Sequence, residues 1–234
     1  MAAGNLAEIW EKDIQVIAER YYAKIRVYGL ESARGIDNRS HEEHNAFFSA
    51  LFDGVIIEGG VSVLDVGCGR GELVLFLQQM YPRLKLLNYL GVDLIAEFVD
   101  YCQKSYPNYT FRQVNFMGED FAPNQTFELV VALGVLVKRV RCYGVYVKRF
   151  MEKMIHYSSK YVLLNLISDV DVHSEDYMGQ GEIGHSTSFS LSKLEAIMSK
   201  IPGVTYRVVS KRIYHDATDL FIQIKKRPTQ GMQQ

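Results

Sequence analysis

Cysteine is scarce in this sequence, and no apolar run is long. The 234 residues include three cysteines, an odd number without the spacing of metal ligands, so reduced thiols are expected rather than a disulfide framework. The longest apolar run, LVVALGVLV, is too short to cross a bilayer, and the chain turns acidic before any stretch long enough for a signal sequence. We therefore expect a cytoplasmic protein with no membrane partner.

Neither sign of charge dominates the sequence. The formal net charge is −1 and basic and acidic residues are mixed along the chain, which gives no electrostatic argument for a nucleic-acid partner. The run VKRVRCYGVYVKRF interleaves basic and aromatic residues and could touch RNA. Its apolar residues recur at helical spacing, however, which favours an amphipathic helix with its charges in water. RNA is thus a disfavoured partner.

The hydrophobic pattern predicts an α/β protein. Two helices are predicted first, at about 5–28 and 41–57, with a loop between them. Strands and helices then alternate, which is typical of a mostly parallel sheet covered by helices on both faces. The predicted elements are 61–66, 72–81, 87–92, 96–105, 110–116, 127–133, 145–157 and 161–167.

The last third of the chain departs from this alternation. After a helix near 191–200, two strand-like runs at 206–214 and 220–226 are joined by the polar HDATD, which predicts an antiparallel hairpin at the sheet edge. The length suits one domain, residues 1–228, with a helical cap at 1–57 and a core at 58–228. Residues 229–234 read as a disordered tail.

The stretch VSVLDVGCGRGELVLFL places a carboxylate two residues before three alternating glycines. A buried strand leads into a helix here, so the glycines mark a turn where backbone can approach a ligand closely. A dinucleotide would put its pyrophosphate at this turn, where Asp65 would repel it. An ammonium group would be favoured instead. S-adenosylmethionine carries an amino group and a sulfonium, and no phosphate.

The next strands end in further ligand-type residues. Asp93 closes YLGVDL, where a carboxylate can accept hydrogen bonds from both ribose hydroxyls of an adenosine, although it could also cap the following helix. Asn115 and Phe116 end RQVNF and can meet the edge and face of an adenine. Strand four delivers Leu133 to the same carboxyl edge of the sheet.

The motifs VLDVGCGRGE, LGVDL, FRQVNF and FELVVALGVL, in this order, resemble motifs one to four of class I S-adenosylmethionine-dependent methyltransferases. The resemblance implies that family's seven-stranded sheet with a reversed last strand. It also implies that methionine lies beside the glycine turn, ribose at Asp93, adenine at Asn115 and Phe116, and the sulfonium at Leu133. The implied cofactor site consists of Asp65, Gly67, Cys68, Gly69, Gly71, Asp93, Leu94, Asn115, Phe116 and Leu133.

Three features of the sequence depart from that family's patterns. Many relatives have aspartate where Asn115 and Glu128 stand here, which changes an adenine contact and a loop anchor. The catalytic tetrapeptide of methyltransferases that act on nucleobase amino groups, Asp or Asn followed by Pro-Pro and an aromatic, is missing at ALGVL. DNA adenine and cytosine N4 are therefore disfavoured as acceptors, and no DNA partner is expected.

The segment after strand five carries the candidate catalytic residues. If Asp169, Asp171 and His173 were extended they would share a face and could hold a divalent cation, as in catechol-type methyltransferases. That family also needs an acidic ligand at the end of strand four, where this chain has none, so we predict no metal. A substrate lid and a solvated loop remain alternatives. His185 is predicted to be the acceptor-side polar group or general base, with His173 as its rival.

Together these features predict an S-adenosylmethionine-dependent methyltransferase that acts on an oxygen or nitrogen of a small-molecule acceptor. Two alternatives stay open. The chain could methylate RNA or protein, or it could be a non-catalytic S-adenosylmethionine-binding subunit of a larger complex. Fold resemblance alone does not identify an acceptor.

Overall fold

One mixed sheet organises the molecule, as seen in a computed structural model that describes residues 3–36, 40–174, 177, 179 and 181–227. Within these residues seven strands lie in the order β3-β2-β1-β4-β5-β7-β6. The strands are β1 (Gly60–Val66), β2 (Lys85–Asp93), β3 (Thr110–Gln113), β4 (Phe127–Ala132), β5 (Ser158–Val170), β6 (Val204–Lys211) and β7 (Ala217–Lys226). The helices are α1 (Ala3–Tyr28), α2 (His41–Leu51), α3 (Glu72–Met80), α4 (Ala96–Ser105), α5 (Tyr143–Tyr157) and α6 (Leu191–Met198), with a short 3-10 helix at Ala33–Ile36.

The central strands are buried on both faces, which explains their continuous apolar sequences. Residues of β1 and β4 contribute to both hydrophobic clusters of the sheet, one on each face. The pairs β3-β2, β2-β1, β1-β4 and β4-β5 are parallel, whereas β7 is antiparallel to both β5 and β6. The predicted fold, a mostly parallel seven-stranded sheet with a reversed terminal strand and an N-terminal helical layer, is confirmed.

Several predicted boundaries differ from the observed ones by two residues or more, and three of the differences have clear local reasons. The second helix ends at Leu51 rather than near 57, because the chain turns there through Gly54 at φ +76°. Strand β3 ends at Gln113 rather than 116, because Asn115 accepts the Met117 N–H and begins a turn. Strand β7 begins at Ala217, three residues before the predicted start, because its first residues continue the ladder to β5.

Helix α1 is fastened to the loop before α5 by a polar clamp around the buried Asp13. The Asp13 carboxylate accepts three hydrogen bonds from Arg141, from its backbone N–H at 2.7 Å, from Nε at 2.9 Å and from Nη2 at 2.6 Å. The Trp10 indole N–H donates to the Arg141 carbonyl at 2.8 Å. Because Asp13 is buried and fully paired, this clamp fixes where α1 lies over the carboxyl edge of the strands.

The division into a cap and a core at residues 57 and 58 stays a prediction. The predicted tail, 229–234, lies outside the described residues. Among the residues that are described, no helix combines the length and apolar character needed to cross a membrane.

Candidate active site

A cavity of about 660 Å³ opens at the carboxyl edge of the parallel strands. Its walls come from the strand ends, from α1 and α2, and from the loops that follow β4 and β5. Two walls are distinguished below: the glycine-turn wall, residues 65–69 and 93–95, and the β7 wall, which consists of Asn165, Ile167, Tyr214 and Asp219. This is the edge at which open α/β sheets bind ligands.

At the glycine turn, main-chain atoms without side chains face the cavity. Gly67, Gly69 and Gly71 all have positive φ, between +52° and +78°. A Cβ built on Gly67 would lie 2.4 Å from the Val135 side chain, so both the conformation and the space require glycine there. The Gly67 N–H donates to the Val92 carbonyl at 2.7 Å, which holds the turn against β2.

Gly71 has a different role from the other two glycines. It is the N-cap of α3 and is not among the residues that line the cavity. A Cβ there would lie 2.7 Å from the Tyr106 ring. The third glycine thus permits close packing of the helix, and its predicted contact with the cofactor stays a prediction.

Asp65, the next-to-last residue of β1, is a buried carboxylate on the cavity wall. Its Oδ2 accepts a hydrogen bond from the Tyr89 hydroxyl at 2.5 Å. Burial raises the pKa of Asp65 to about 7, and the Tyr89 hydrogen bond opposes that rise. A cationic ligand group beside Asp65 would favour its ionised form.

Asp93 ends the neighbouring strand, and both of its oxygens accept a backbone N–H. Oδ2 accepts from Gly69 at 2.9 Å and Oδ1 from Ile95 at 3.0 Å. Burial raises the pKa of Asp93 to about 6, while these backbone donors oppose the rise. The carboxylate therefore joins the glycine turn to the start of α4. Each oxygen keeps a further lone pair for a ligand.

Asn115 and Phe116 form the next part of the wall. The Asn115 Oδ1 accepts the Met117 N–H at 2.9 Å. Phe116 packs against Phe121 and Phe150, with ring centroids 4.9 and 4.8 Å away. Both residues line the cavity, so a flat ring could lie against Phe116 and meet the Asn115 amide at its edge.

A buried polar chain links the end of β4 to β7. Just past β4, the Gly134 N–H donates to Asn165 Oδ1 at 2.7 Å. The Asn165 amide nitrogen in turn donates to Asp219 Oδ1 at 2.9 Å. Both side chains are 2% exposed, and both line the cavity. Burial raises the pKa of Asp219 to about 7, and the hydrogen bond from Asn165 opposes the rise.

Cationic side chains approach the cavity from α1 and from the loops after β4 and β5. Arg20 Nη1 lies 2.8 Å from His185 Nε2, and Glu182 Oε2 lies 3.2 Å from the same nitrogen. Lys138 Nζ donates to Ser186 Oγ at 3.2 Å. The pKa of Lys138 is lowered to about 8, because burial and then the Arg20 charge disfavour its ammonium form. A guanidinium only donates and a carboxylate only accepts, so His185 Nε2 accepts from Arg20 in one tautomer and donates to Glu182 in the other.

The loop that carries His185 is tied to the loop after β4. The Arg139 N–H donates to the His185 carbonyl, the Gly184 N–H donates to the Arg139 carbonyl, and the Thr187 N–H donates to the Val137 carbonyl. A Cβ on Gly184 would lie 2.9 Å from Arg20 Cδ, so the loop also packs closely on α1. Of the alternatives for this segment, the contacts favour a cover over the cavity.

His173 is not part of the cavity. Its side chain is exposed, and its backbone N–H donates to Asp171 Oδ1 at 2.9 Å. Within the described part of the chain no group of three or more His, Cys, Asp or Glu side chains is arranged to hold a metal ion.

The structure brings most of the predicted site residues into one cavity. The predicted residues that line it are Asp65, Gly67, Cys68, Gly69, Asp93, Leu94, Asn115, Phe116, Leu133 and His185. Gly71 and His173 do not line it. Sequence reasoning missed Arg20, Lys138, Asn165 and Asp219. The polar run HDATD predicts a hairpin turn that includes Asp219, and the signal that could have found this residue is its place directly before the apolar run LFIQI.

Comparison with known proteins agrees with this geometry. Residues 63–146 match a family model described as a methyltransferase domain. A curated relative, the probable (S)-tetrahydroprotoberberine N-methyltransferase 2 of Papaver bracteatum, is 24% identical over 161 residues, which cover 66% of this chain and 43% of that protein. The chain therefore spans less than half of that relative's length.

Solved structures share the fold. Magnesium protoporphyrin IX methyltransferase (ChlM) from Synechocystis PCC 6803, with bound SAH, superposes at a TM-score of 0.62 with 14% identity, over 91% of this chain and 99% of that one. The [4+2]-cyclase SpnF superposes at 0.58 with 14% identity, over 82% and 84%. The matched segment is that of a methyltransferase domain, and these solved structures share the fold of this chain. The resemblance predicted from the motifs is confirmed.

Proposed function

We propose that this chain binds S-adenosylmethionine and transfers its methyl group to a small-molecule acceptor. The observation that carries the proposal is the pair of carboxylates at the ends of adjacent strands, Asp65 and Asp93, on either side of a glycine turn in one cavity. The family-model match over residues 63–146 supports the same conclusion.

The residues of the glycine-turn wall fit the chemical groups of this cofactor. Asp65 offers a buried carboxylate to an amino group, and its raised pKa reflects a charge that a cationic ligand would stabilise. Asp93 offers two oxygens to a pair of ribose hydroxyls. A pyrophosphate at the same place would meet the charge of Asp65, so the wall disfavours NAD.

When bound, S-adenosylmethionine supplies an electrophilic methyl group. The chain's own contribution is to hold an acceptor in line with that group and to exclude water. Helix α1 and the loop tied down at residues 184–187 cover the cavity for this purpose. His185, held by Arg20, is the predicted acceptor-side polar residue, and its catalytic role stays a prediction.

A small-molecule acceptor is supported by the enclosure of the cavity between α1 and the sheet edge, and by the named acceptor of the plant relative. Methylation of RNA or protein and non-catalytic binding remain the competing functions. The likeness to a [4+2]-cyclase shows that this fold also serves another reaction.

Calorimetry with the purified protein tests the cofactor. S-adenosylmethionine and SAH should bind and raise the melting temperature, as ligands of the native state do, whereas NAD should not. Binding of NAD without S-adenosylmethionine would overturn the assignment. Methyl transfer from labelled S-adenosylmethionine to a panel of small amines, phenols and carboxylates then separates an enzyme from a binding subunit. Nucleic acid that stays with the purified protein would favour the RNA alternative.

The variant Asp93→Ala tests the site. Loss of the charged acceptor of two ribose hydroxyls should cost about 1.5–3 kcal/mol of cofactor affinity, roughly ten- to a hundredfold in Kd. Asp100→Ala, an exposed aspartate on α4, is the matched control and should bind normally. Since Asp93 also accepts from Gly69 and Ile95, circular dichroism must show that the variant folds. An unchanged Kd in folded protein would mean that Asp93 only caps α4.

A further inference from the structure

Four carboxylates line the cavity: Glu72 pairs with Arg70 at 2.8 Å, the proposed function uses Asp65 and Asp93, and the buried Asp219 has no role in it. Asp65 and Asp93 belong to the glycine-turn wall, whereas Asp219 lies on the β7 wall. A buried carboxylate is costly unless a cation or several donors compensate for its lost hydration. Asp219 receives one side-chain hydrogen bond within the described residues, from Asn165 at 2.9 Å. The ligand that compensates for its charge is thus unassigned.

The polar chain places Asp219 beside the end of β4. Asn165 pairs in register with Phe221, and Asp219 lies two residues before Phe221, so both polar side chains share one face of the sheet. Asn165 also accepts the N–H of Gly134, the residue after Leu133. Leu133 is where the cofactor's reactive sulfonium is predicted to lie. The Asp219 carboxylate therefore borders the part of the cavity where an acceptor would meet that group.

We propose that Asp219 binds a protonated amine of the acceptor and takes its proton, so that the methylated atom is an amine nitrogen. The proposal rests on the proposed function and names its substrate class. The Asp219 oxygen forms an O–H bond as the N–H bond breaks, and that bond's electron pair remains on nitrogen as the lone pair that a methyl acceptor needs. The proton on Asp219 later leaves to water.

The surroundings of Asp219 suit this role. The ionisable side chains around it include Lys211, opposite it on β6, Asp169 on β5, His44 on α2, and Tyr177 and Tyr214 in the adjoining loops. Arg212 donates to the neighbouring Thr218, and the buried Asp216 just before β7 accepts from Ser174. Lys211 and Asp169 are exposed to solvent, which screens their charge. The pKa of Asp219 is accordingly set by burial, which raises it to about 7, and by the Asn165 amide, which lowers it. A carboxylate with this pKa can accept a proton at neutral pH.

The test uses a matched pair of probes with the full chain. 1,2,3,4-Tetrahydroisoquinoline is an amine that is protonated at pH 6 and pH 8, and isochroman is its neutral oxygen analogue. Calorimetry measures the binding of both probes in the presence of SAH. The proteins are the wild type, Asp219→Asn, which keeps an oxygen to accept from Asn165, and Asp169→Asn, a control on an exposed carboxylate outside the cavity.

The wild type and Asp169→Asn should bind the amine at least about tenfold more tightly than isochroman at pH 8, as expected for a desolvated ion pair. That preference should fall by about tenfold at pH 6, where a carboxyl with a pKa near 7 is mostly protonated. Asp219→Asn should show no preference at either pH. Equal binding of the two probes by the wild type, or a preference that persists in Asp219→Asn, overturns the proposal.

The same samples separate this proposal from the proposed function. Protein that binds SAH but does not prefer the amine keeps the cofactor assignment and loses the amine assignment. Protein that fails to bind SAH loses the proposed function. The pH dependence of the wild type needs no variant, so misfolding of Asp219→Asn would not remove the test.

Discussion

The glycine-turn wall and the β7 wall meet in one cavity but are built in different ways. Two short segments, residues 65–69 and 93–95, supply the glycine-turn wall, and each begins at the carboxyl end of its strand. The β7 wall joins Asn165 and Asp219, which are 54 positions apart in the sequence. The first wall is a local feature of the chain. The second exists only after the antiparallel strand β7 has paired with β5.

This difference separates two kinds of specificity. A strand, a glycine turn and a helix recur as a cofactor-binding unit, because their backbone geometry brings N–H groups close to a ligand. Side chains that converge from distant strands can change one at a time without disturbing the turn. We therefore place cofactor binding on the glycine-turn wall and acceptor choice on the β7 wall.

The largest expected effect compares two candidate proton acceptors. With an amine acceptor found in the panel, Asp219→Asn should lower kcat by about 10²–10⁴, the contribution of a general base. His185→Ala should lower it only about tenfold, because its Nε2 is already engaged by Arg20 at 2.8 Å. Both variants should keep wild-type affinity for S-adenosylmethionine.

His173→Ala serves as the control for these rates, since His173 is exposed and does not line the cavity. Its turnover should match the wild type. A larger loss in His185→Ala than in Asp219→Asn would restore His185 as the base that the sequence predicted. It would also move acceptor chemistry from the β7 wall to the loop after β5.

The sequence predicted the fold because its signals are local. Apolar alternation fixed the order of strands and helices, and α4 was predicted with the observed bounds, Ala96–Ser105. Predicted boundaries were wrong where a side-chain hydrogen bond begins a turn, as at Asn115, or where a turn ends an apolar run, as after Leu51. The order of the strands in the sheet could be predicted only through the family resemblance, because the local sequence does not show that β7 pairs between β5 and β6.

The site was predictable on the glycine-turn wall and not on the β7 wall. Asp65 and Asp93 were found because each ends an apolar strand beside a recognisable motif. Asp219 looked like a turn residue in HDATD, because polar residues usually mark loops. It lies inside β7, where Asn165 donates to its carboxylate and the cavity borders it, and neither neighbour is visible from the local sequence.

A smaller effect is expected when the polar chain of the β7 wall is cut. Asn165→Ala leaves the Gly134 N–H and the Asp219 carboxylate without their partner and should lower the free energy of unfolding by about 2–3 kcal/mol. The pKa of Asp219 should rise further, because the Asn165 amide is what opposes its burial. Urea unfolding measures the stability, and carbon NMR of the carboxyl group follows the pKa.

Asn45→Ala, an exposed asparagine on α2, is the matched control for that loss. Its stability should change by less than about 0.5 kcal/mol. S-adenosylmethionine affinity should survive in folded Asn165→Ala, since none of the glycine-turn contacts involves Asn165. A cofactor affinity that falls with the stability would show that the two walls act as one unit and would break the comparison.

The smallest effect concerns His44 of α2, a cavity residue near both walls. Its ring stacks on Phe48 with centroids 5.0 Å apart, and its Nδ1 is buried without a hydrogen-bond partner among the described residues. Burial lowers the pKa of His44, Arg70 and His41 lower it further, and Glu72 opposes them. The native state therefore favours the neutral form of His44. The free energy of unfolding that His44 contributes is fully present above the unfolded pKa of about 6.5, and it is lost as the pH falls below that value.

His44→Phe should keep the stacking on Phe48, remove the unpaired nitrogen and abolish this acid-sensitive loss. We expect unfolding experiments to show a gain of about 1 kcal/mol at pH 5 and a smaller gain at pH 8. His41→Phe, exposed one turn earlier, should give no such pH dependence. Equal gains at both pH values would mean that His44 does not titrate differently in the folded state. The pH dependence of the cavity would then come from its carboxylates alone, whose raised pKa values make the fold less stable as pH rises toward 7.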